Sequence, residues 1–282
     1  MAKTLYVTDL DGTLMKDDKS ISETSVTILN NLIKHGLLVT YATARSINSA
    51  SAVTKDIDFQ LPVIIRNGTI FADPQTQEEI EIAMFTQENL QSVRQCTQGL
   101  TLFGFATSYI DGKEQKSYLK GMLNEGFQQY LVDHADDGRL RAVLTEDELY
   151  EGEVCYFTFI GEREELEPLY SRVKDSDEWI CVFQQDKYRP EYWLEICPKD
   201  ATKAKAIRKL QKQYNCERVV VFGDSLNDIS MFQAADEAYA VGNAMESLKE
   251  IATGIIGDNN SDGVARWLAE NISSQKAGIS EI

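Results

Sequence analysis

Residues 4–13 (TLYVTDLDGT) join a short apolar run to two acidic residues, Asp9 and Asp11, which are separated by a single leucine. The run predicts a buried β-strand, and the two acids follow at its carboxyl end. In open α/β sheets, ligands sit beyond the carboxyl ends of the strands. Two carboxylates buried this close repel each other unless a cation lies between them or one holds a proton. The stretch is therefore typical of a Mg²⁺ site, with an exposed Asp- and Gly-rich turn as the alternative.

The first and last thirds of the chain alternate strand and helix patterns. Ser20 and Glu23 have capping-box spacing at the start of the first helix, and Gly36 ends it. This alternation predicts a parallel sheet covered by helices. The expected strands cover residues 4–9, 37–43, 62–66, 218–222, 238–241 and 254–256, and further helices are expected over residues 47–55, 201–214, 228–235 and 263–271.

The middle of the chain mixes strands and helices without that regular alternation. We therefore expect one α/β domain, residues 1–83 and 193–282, interrupted by an inserted α+β domain, residues 84–192. The expected strands of the insertion cover residues 102–110, 154–160 and 179–184, and its expected helices cover residues 86–96 and 163–174.

Charge and composition narrow the classes of partner. The 282 residues carry a formal net charge of −17, which disfavours binding to nucleic acid or to anionic membranes. A small phosphorylated ligand would still need a locally positive site. We expect neither an export signal nor a membrane span, since there is no long uninterrupted apolar run. The five scattered cysteines favour reduced thiols and a cytoplasmic location.

A second acidic segment, residues 223–228 (GDSLND), follows another buried strand and opens another helix. Asp224 lies at the strand end, where it could complete a metal site. Asn227 and Asp228 fall in the first helical turn, where an ordinary N-cap is the competing interpretation for Asp228. Acids at two separate strand ends make a shared cation site the simpler joint explanation.

Two further positions could hold a phosphate. Thr43 and Ala44 stand at a strand-to-helix junction, where a hydroxyl and free backbone N–H groups can cradle an anion, although a lone Thr is more often an N-cap. Lys203 lies at a helix start, and an acidic protein needs such a cation beside a bound phosphate. Lysines on helices are, however, usually solvated.

The remaining candidates for catalysis are weak. His35 sits at a helix end and His134 in an acidic loop. The chain has no Gly-x-Ser-x-Gly elbow, Walker loop or Gly-x-Gly-x-x-Gly, so serine hydrolases, P-loop enzymes and Rossmann dehydrogenases lack support.

Taken in order, these segments resemble the haloacid dehalogenase (HAD) superfamily, in particular its Cof-like branch with a large α+β (C2B-type) cap. One departure is Ala44, because these relatives usually have Gly before the Arg. The matching segments are residues 9–13, Thr43, Lys203 and residues 223–228, with residues 67–68, 195–196, 241–244 and 262–264 as further similarities. The resemblance implies a Rossmann-like HAD core with a parallel sheet, interrupted by the inserted cap domain.

The resemblance also implies roles for the acids. Asp9 would attack phosphorus, form an aspartyl phosphate and bind Mg²⁺. Asp11 would act as general acid and base, and its backbone carbonyl would bind the metal. Asp224 would be the second carboxylate ligand, with Asp228 as outer support of the metal site.

The phosphoryl oxygens would be held by Thr43, Ala44, Lys203 and Asn227.

The implied function is a Mg²⁺-dependent phosphatase for small organic phosphate monoesters, sugar phosphates first, with nucleotide and cofactor phosphates as further candidates. A phosphomutase of the same superfamily is the main alternative, and a signalling receiver domain or a non-catalytic binding protein are the others. The expected partner is a small phosphorylated metabolite, with no nucleic acid or membrane, and the expected state is a monomer or small homo-oligomer.

Overall fold

The computed structural model describes residues 2–277, with side chains described as far as residue 272. The strands are β1 (Thr4–Thr8), β2 (Leu38–Tyr41), β3 (Val63–Ile65), β4 (Ile70–Ala72), β5 (Glu79–Ile82), β6 (Gly104–Ile110), β7 (Lys113–Leu119), β8 (Leu140–Val143), β9 (Glu153–Gly161), β10 (Trp179–Gln185), β11 (Tyr192–Pro198), β12 (Arg218–Gly223), β13 (Glu237–Ala240) and β14 (Gly254–Ile255). The helices are α1 (Glu23–Lys34), α2 (Ile47–Thr54), α3 (Gln87–Thr97), α4 (Glu125–Asp133), α5 (Glu146–Leu149), α6 (Arg163–Val173), α7 (Lys203–Gln213), α8 (Ile229–Ala234), α9 (Glu246–Lys249) and α10 (Gly263–Ala277).

The chain forms two compact units. The first unit contains the residues up to Glu81 and those from Thr202 onward, and the second unit is Ile82–Ala201. Strand β11 pairs with β9 and β10, so it belongs to the sheet of the second unit. The inserted unit therefore extends past residue 192, where the sequence pattern placed its end.

The first unit is built on a five-stranded sheet in the order β14-β13-β12-β1-β2. All of its neighbouring strands are parallel. The chain steps from β1 to β2 in one direction and from β12 to β13 in the other. Right-handed connections therefore place α1 and α8 on opposite faces of the sheet. The expected α/β fold with a parallel sheet is confirmed.

The first helix begins two residues later than its capping pattern indicated. Ser22 is the N-cap of α1, and its hydroxyl accepts a hydrogen bond of 3.0 Å from the backbone N–H of Ser25. Ser20 instead donates its hydroxyl to Asp18 at 2.6 Å. The expectation of a cap at Ser20 is wrong, because α1 begins only at Glu23 and the N-cap next to it is Ser22, which has an extended backbone.

The second unit is a six-stranded sheet in the order β10-β11-β9-β6-β7-β8, antiparallel except between β7 and β8. Phe159 and Ile160, neighbours on β9, enter two separate buried clusters. Adjacent strand residues point to opposite faces, so both faces of this sheet are covered. The cluster of Phe159 includes side chains of α3 and α6, and that of Ile160 includes side chains of α4.

Across the described part of the chain, no helix combines the length and the apolar character needed to cross a membrane.

Candidate active site

The register of the parallel sheet brings three strand ends together in the first unit. Thr8, the last residue of β1, lies opposite Phe222 of β12 and Tyr41 of β2. The backbone N–H of Asp9 donates to the carbonyl of Phe222 at 2.9 Å. The segments that begin at Asp9, Thr43 and Asp224 therefore leave the sheet at the same edge.

Three acidic side chains meet at that edge. Ligand oxygens of Asp9, Asp224 and Asp228 all lie within 4.8 Å of one another, and all three residues are buried. Thr13 donates its hydroxyl to Asp224 at 3.3 Å. A group of hard carboxylate oxygens this close could hold a metal ion, and without one their charges repel.

Lys203 lies inside this acidic group. Its ammonium is 2.6 Å from Asp9 Oδ1 and 2.8 Å from Asp228 Oδ1, and its side chain is only 1% exposed. Burial by itself lowers the pKa of Lys203, but the charges of Asp228 and Asp9 outweigh it and hold that pKa above its ordinary value. The lysine is therefore a fixed positive charge at the site, and the solvated alternative does not apply.

The pKa of Asp9 is raised well above its ordinary value. Burial is the main cause, and Asp228, Asp224 and Asp11 add to it while Lys203 opposes it. Three buried carboxylates thus face one ammonium, which leaves an excess of negative charge. A divalent cation bound by these carboxylates would offset that excess.

The carboxylate of Asp228 stabilises the segment that carries Asp224. Its Oδ2 accepts the backbone N–H groups of Asp224 and Ser225 at 2.9 and 3.1 Å, while its Oδ1 accepts from Lys203. A Cβ on Gly223 would lie 2.7 Å from this carboxylate, so only glycine fits beside it. Both oxygens of Asp228 are already hydrogen-bonded, which favours outer support over direct metal contact.

The side chain of Asp11 is not part of the three-carboxylate group. Its two oxygens accept hydrogen bonds from Nε and Nη2 of Arg45, both at 2.7 Å. Asp11 and Arg45 lie in separate sequence segments, and nothing in their spacing of 34 positions indicates that they pair.

Thr43 and its neighbours form the third part of the site. Thr43 is buried, and its hydroxyl accepts the backbone N–H of Arg45 at 3.2 Å. Its carbonyl accepts the backbone N–H of Asn67 at 2.9 Å. Ala44 is absent from the described non-glycine residues with positive φ, so its methyl group introduces no strain there.

Asn227 reaches the same region from the short turn that follows β12. Its amide donates to Asn67 Oδ1 at 3.1 Å, and its own Oδ1 accepts the hydroxyl of Ser225 at 2.8 Å. Asn67 holds a left-handed backbone with φ of 54°, in the tight turn that its Asn-Gly sequence favours. A Cβ on the next residue, Gly68, would lie 2.3 Å from the carbonyl carbon of Thr202. That close approach brings the Asn67 turn against the start of α7, one residue before Lys203.

Asn243 is a further support that the chemical argument from sequence did not identify. Its amide donates to the carbonyl of Gly12 at 2.7 Å, and its Oδ1 accepts the backbone N–H of Asn259 at 3.0 Å. It therefore ties the turn after β1 to the loop before α10. The only signal for it in the sequence is its position in residues 241–244, which resemble the Cof-like branch.

Comparison with known proteins agrees with this architecture. The haloacid dehalogenase-like hydrolase family, Hydrolase_3, matches residues 6–268. The 5-amino-6-(5-phospho-D-ribitylamino)uracil phosphatase YitU of Bacillus subtilis is 28% identical over 95% of this chain and 97% of its own length. The crystal structure of TM0651 from Thermotoga maritima is 27% identical, with a TM-score of 0.71 over 96% of this chain and 97% of that one. The HAD subclass IIB sugar phosphatase BT4131 shares the fold at 22% identity. Its TM-score is 0.72 over 95% of this chain and 98% of that one.

An α/β fold with acids at adjacent strand ends, and a family match that spans most of the chain, define the class as a hydrolase. The chain belongs to the haloacid dehalogenase-like hydrolases. The expectation of a phosphatase is confirmed at this level, and so is the expectation of a Cof-like member of the superfamily.

Replacing the buried ammonium should be costly to the fold. We expect Lys203→Met to lower the free energy of unfolding by about 3–5 kcal/mol, because it leaves buried carboxylates without their counter-charge. Lys209→Met, on the same helix, removes an exposed ion pair with Glu81 and should change the free energy of unfolding by about 1 kcal/mol or less. Urea unfolding of the metal-free proteins measures both.

A second substitution tests whether repulsion between the buried carboxylates causes this loss of stability. Adding Asp9→Asn to Lys203→Met removes one of the repelling charges and should restore part of the lost stability. If Lys203→Met were no more destabilising than Lys209→Met, the ammonium would not be balancing the acids.

Proposed function

We propose that this phosphatase uses Mg²⁺ to hydrolyse small organic phosphate monoesters, with sugar phosphates as the favoured class. One observation carries the proposal: Asp9 lies beside the ammonium of Lys203 and within a group of carboxylate oxygens. A carboxylate that attacks a dianionic phosphate needs nearby positive charge to offset the repulsion. The all-oxygen donor set of the acidic group fits Mg²⁺.

Asp9 is the proposed nucleophile. In the first step its carboxylate oxygen bonds to phosphorus, the bond from phosphorus to the ester oxygen breaks, and Asp11 gives a proton to that oxygen. In the second step a water oxygen bonds to phosphorus, Asp11 accepts a proton from the water, and the bond between phosphorus and Asp9 breaks. The acid–base role is needed because an alkoxide is a poor leaving group.

The other site residues hold the phosphoryl group in this scheme. The Lys203 ammonium, the Thr43 hydroxyl, the Asn227 amide and the backbone N–H of Ala44 would bind its oxygens. Mg²⁺, bound by Asp9, Asp224 and the backbone carbonyl of Asp11, would supply the remaining positive charge as phosphoryl transfer proceeds. Asp228 would support that site through Lys203 and the backbone of Asp224.

Substrate choice is proposed to depend on the inserted unit. We assign Ile82–Ala201 as the cap domain and the remaining residues as the catalytic core.

The relatives YitU and YwtE of Bacillus subtilis are named as 5-amino-6-(5-phospho-D-ribitylamino)uracil phosphatases, at 28% and 26% identity, and BT4131 as a sugar phosphatase. These names support a small phosphorylated metabolite as the substrate, and the net charge of −17 disfavours nucleic acid. Five free thiols support a cytoplasmic location.

Asp9 provides the direct test of the reaction. We expect Asp9→Asn to lower phosphate release by about 10³-fold or more, because it removes the attacking charge with little change in volume. Asp11→Asn should lower it by about 10²–10⁴-fold, the usual contribution of general acid–base catalysis. The assay measures inorganic phosphate across sugar, nucleotide and cofactor phosphates and 5-amino-6-(5-phospho-D-ribitylamino)uracil. Asp56→Asn, an exposed acid after α2, is the matched control and should keep full activity. Undiminished turnover by Asp9→Asn would rule out this mechanism.

Mg²⁺ binding has a readout that is independent of turnover. At Mg²⁺ one hundred times its Kd, wild type should gain about 2.7 kcal/mol of stability, seen as a rise in Tm. Asp224→Asn should lose most of that gain, and Asp56→Asn should retain it. EDTA should abolish phosphate release, and added Mg²⁺ should restore it. A Tm that does not respond to Mg²⁺, or a rate unaffected by EDTA, would refute the assignment of the metal.

A further inference from the structure

The ion pair of Arg45 with Asp11 is a close contact of the acid–base residue, and it has no role in the scheme above. Two guanidinium nitrogens, Nε and Nη2, donate to the two carboxylate oxygens at 2.7 Å each. The side chains of Arg45 and Asp11 are 17% and 28% exposed, so solvent screens the pair only in part. Such a two-point contact fixes the plane and direction of a carboxylate, which a single ammonium cannot do.

The surrounding backbone holds Arg45 in turn. Its N–H donates to the hydroxyl of Thr43 at 3.2 Å, and its carbonyl accepts the N–H of Arg66 at 3.0 Å. On its outer side, Nη1 donates to the hydroxyl of Ser49 on α2 at 2.9 Å. Arg45 is thus held both at its backbone and at Nη1, and its Nε and Nη2 atoms face Asp11. An arginine fixed in this way can orient its partner.

A direct phosphate contact is the competing role for an arginine beside such a site, because its fork suits phosphate as well as carboxylate. In the structure, Nε and Nη2 face Asp11 and Nη1 faces Ser49. The three nitrogens are therefore directed at protein oxygens, which favours orientation of Asp11 over capture of substrate.

We propose that Arg45 is a positioning residue that holds Asp11 in the orientation needed for proton transfer to the leaving oxygen and from the attacking water. The inference rests on the proposed function, because it assigns Arg45 a part in that reaction. Arg45 itself neither gains nor loses a proton: the transferred proton moves between Asp11 and the ester oxygen, and later between water and Asp11.

The leaving group separates positioning from substrate binding. Departure of an alkoxide requires a proton from Asp11, whereas p-nitrophenolate departs readily without one. We expect Arg45→Ala to lower kcat/KM for the best alkyl monoester by about 10²-fold, and for p-nitrophenyl phosphate by less than about tenfold. The ratio kcat/KM reports the steps up to departure of the leaving group, so slower breakdown of the aspartyl phosphate does not disturb the comparison.

A double-mutant cycle for the alkyl ester provides the second measurement. If Arg45 acts through Asp11, Arg45→Ala should have less than about a twofold effect in an Asp11→Asn enzyme. Arg218→Ala, which removes an ion pair with Glu237 between β12 and β13, is the matched control and should leave both esters unaffected. The rise in Tm with Mg²⁺ should be the same in Arg45→Ala and wild type, which shows that the variant is folded with its metal site intact.

Two results would overturn the inference. One is an equal fall in kcat/KM for both esters, as expected if Arg45 binds the phosphate. The other is a loss from Arg45→Ala in the Asp11→Asn enzyme as large as in wild type. Both results differ from failure of the proposed function, in which the wild-type protein itself would release no phosphate from any ester.

Discussion

The buried charges of Lys203, Asp9 and Asp228 constrain the rest of this molecule. One ammonium lies 2.6 and 2.8 Å from two carboxylates, and a third carboxylate, that of Asp224, belongs to the same group. Removing such charges from water is expensive, and they are tolerated only when their geometry is fixed. The parallel register of β1 and β12, the absence of a side chain at Gly223 and the hydrogen bonds to Asp228 all serve that requirement.

Much of the first unit could be predicted because its signals are local. Apolar runs such as residues 218–222 indicate buried parallel strands, and acids directly after them must lie at one edge of the sheet. The convergence of Asp9 and Asp224 follows from that topology. Pairings between side chains do not follow from it, so the contact between Asp11 and Arg45 emerged only from the structure.

The inserted unit was less predictable for a physical reason. Strand β7 (KEQKSYL) reads as polar, yet Lys116 within it is buried because its ammonium meets Asp137 at 2.8 Å and Tyr130 at 3.1 Å. A long-range ion pair of this kind overrides the local pattern. Strand β11 was not among the expected strands, and its pairing with β9 and β10 assigns it to the insertion.

The account depends on one divalent ion held by carboxylates that are far apart in sequence. Anomalous diffraction from crystals soaked in Mn²⁺, which shares the preference of Mg²⁺ for oxygen ligands, locates that ion directly. We predict a single strong peak at the ends of β1 and β12, in contact with the carboxylates of Asp9 and Asp224. A peak elsewhere, or these two side chains turned away from a common ion, would contradict the account.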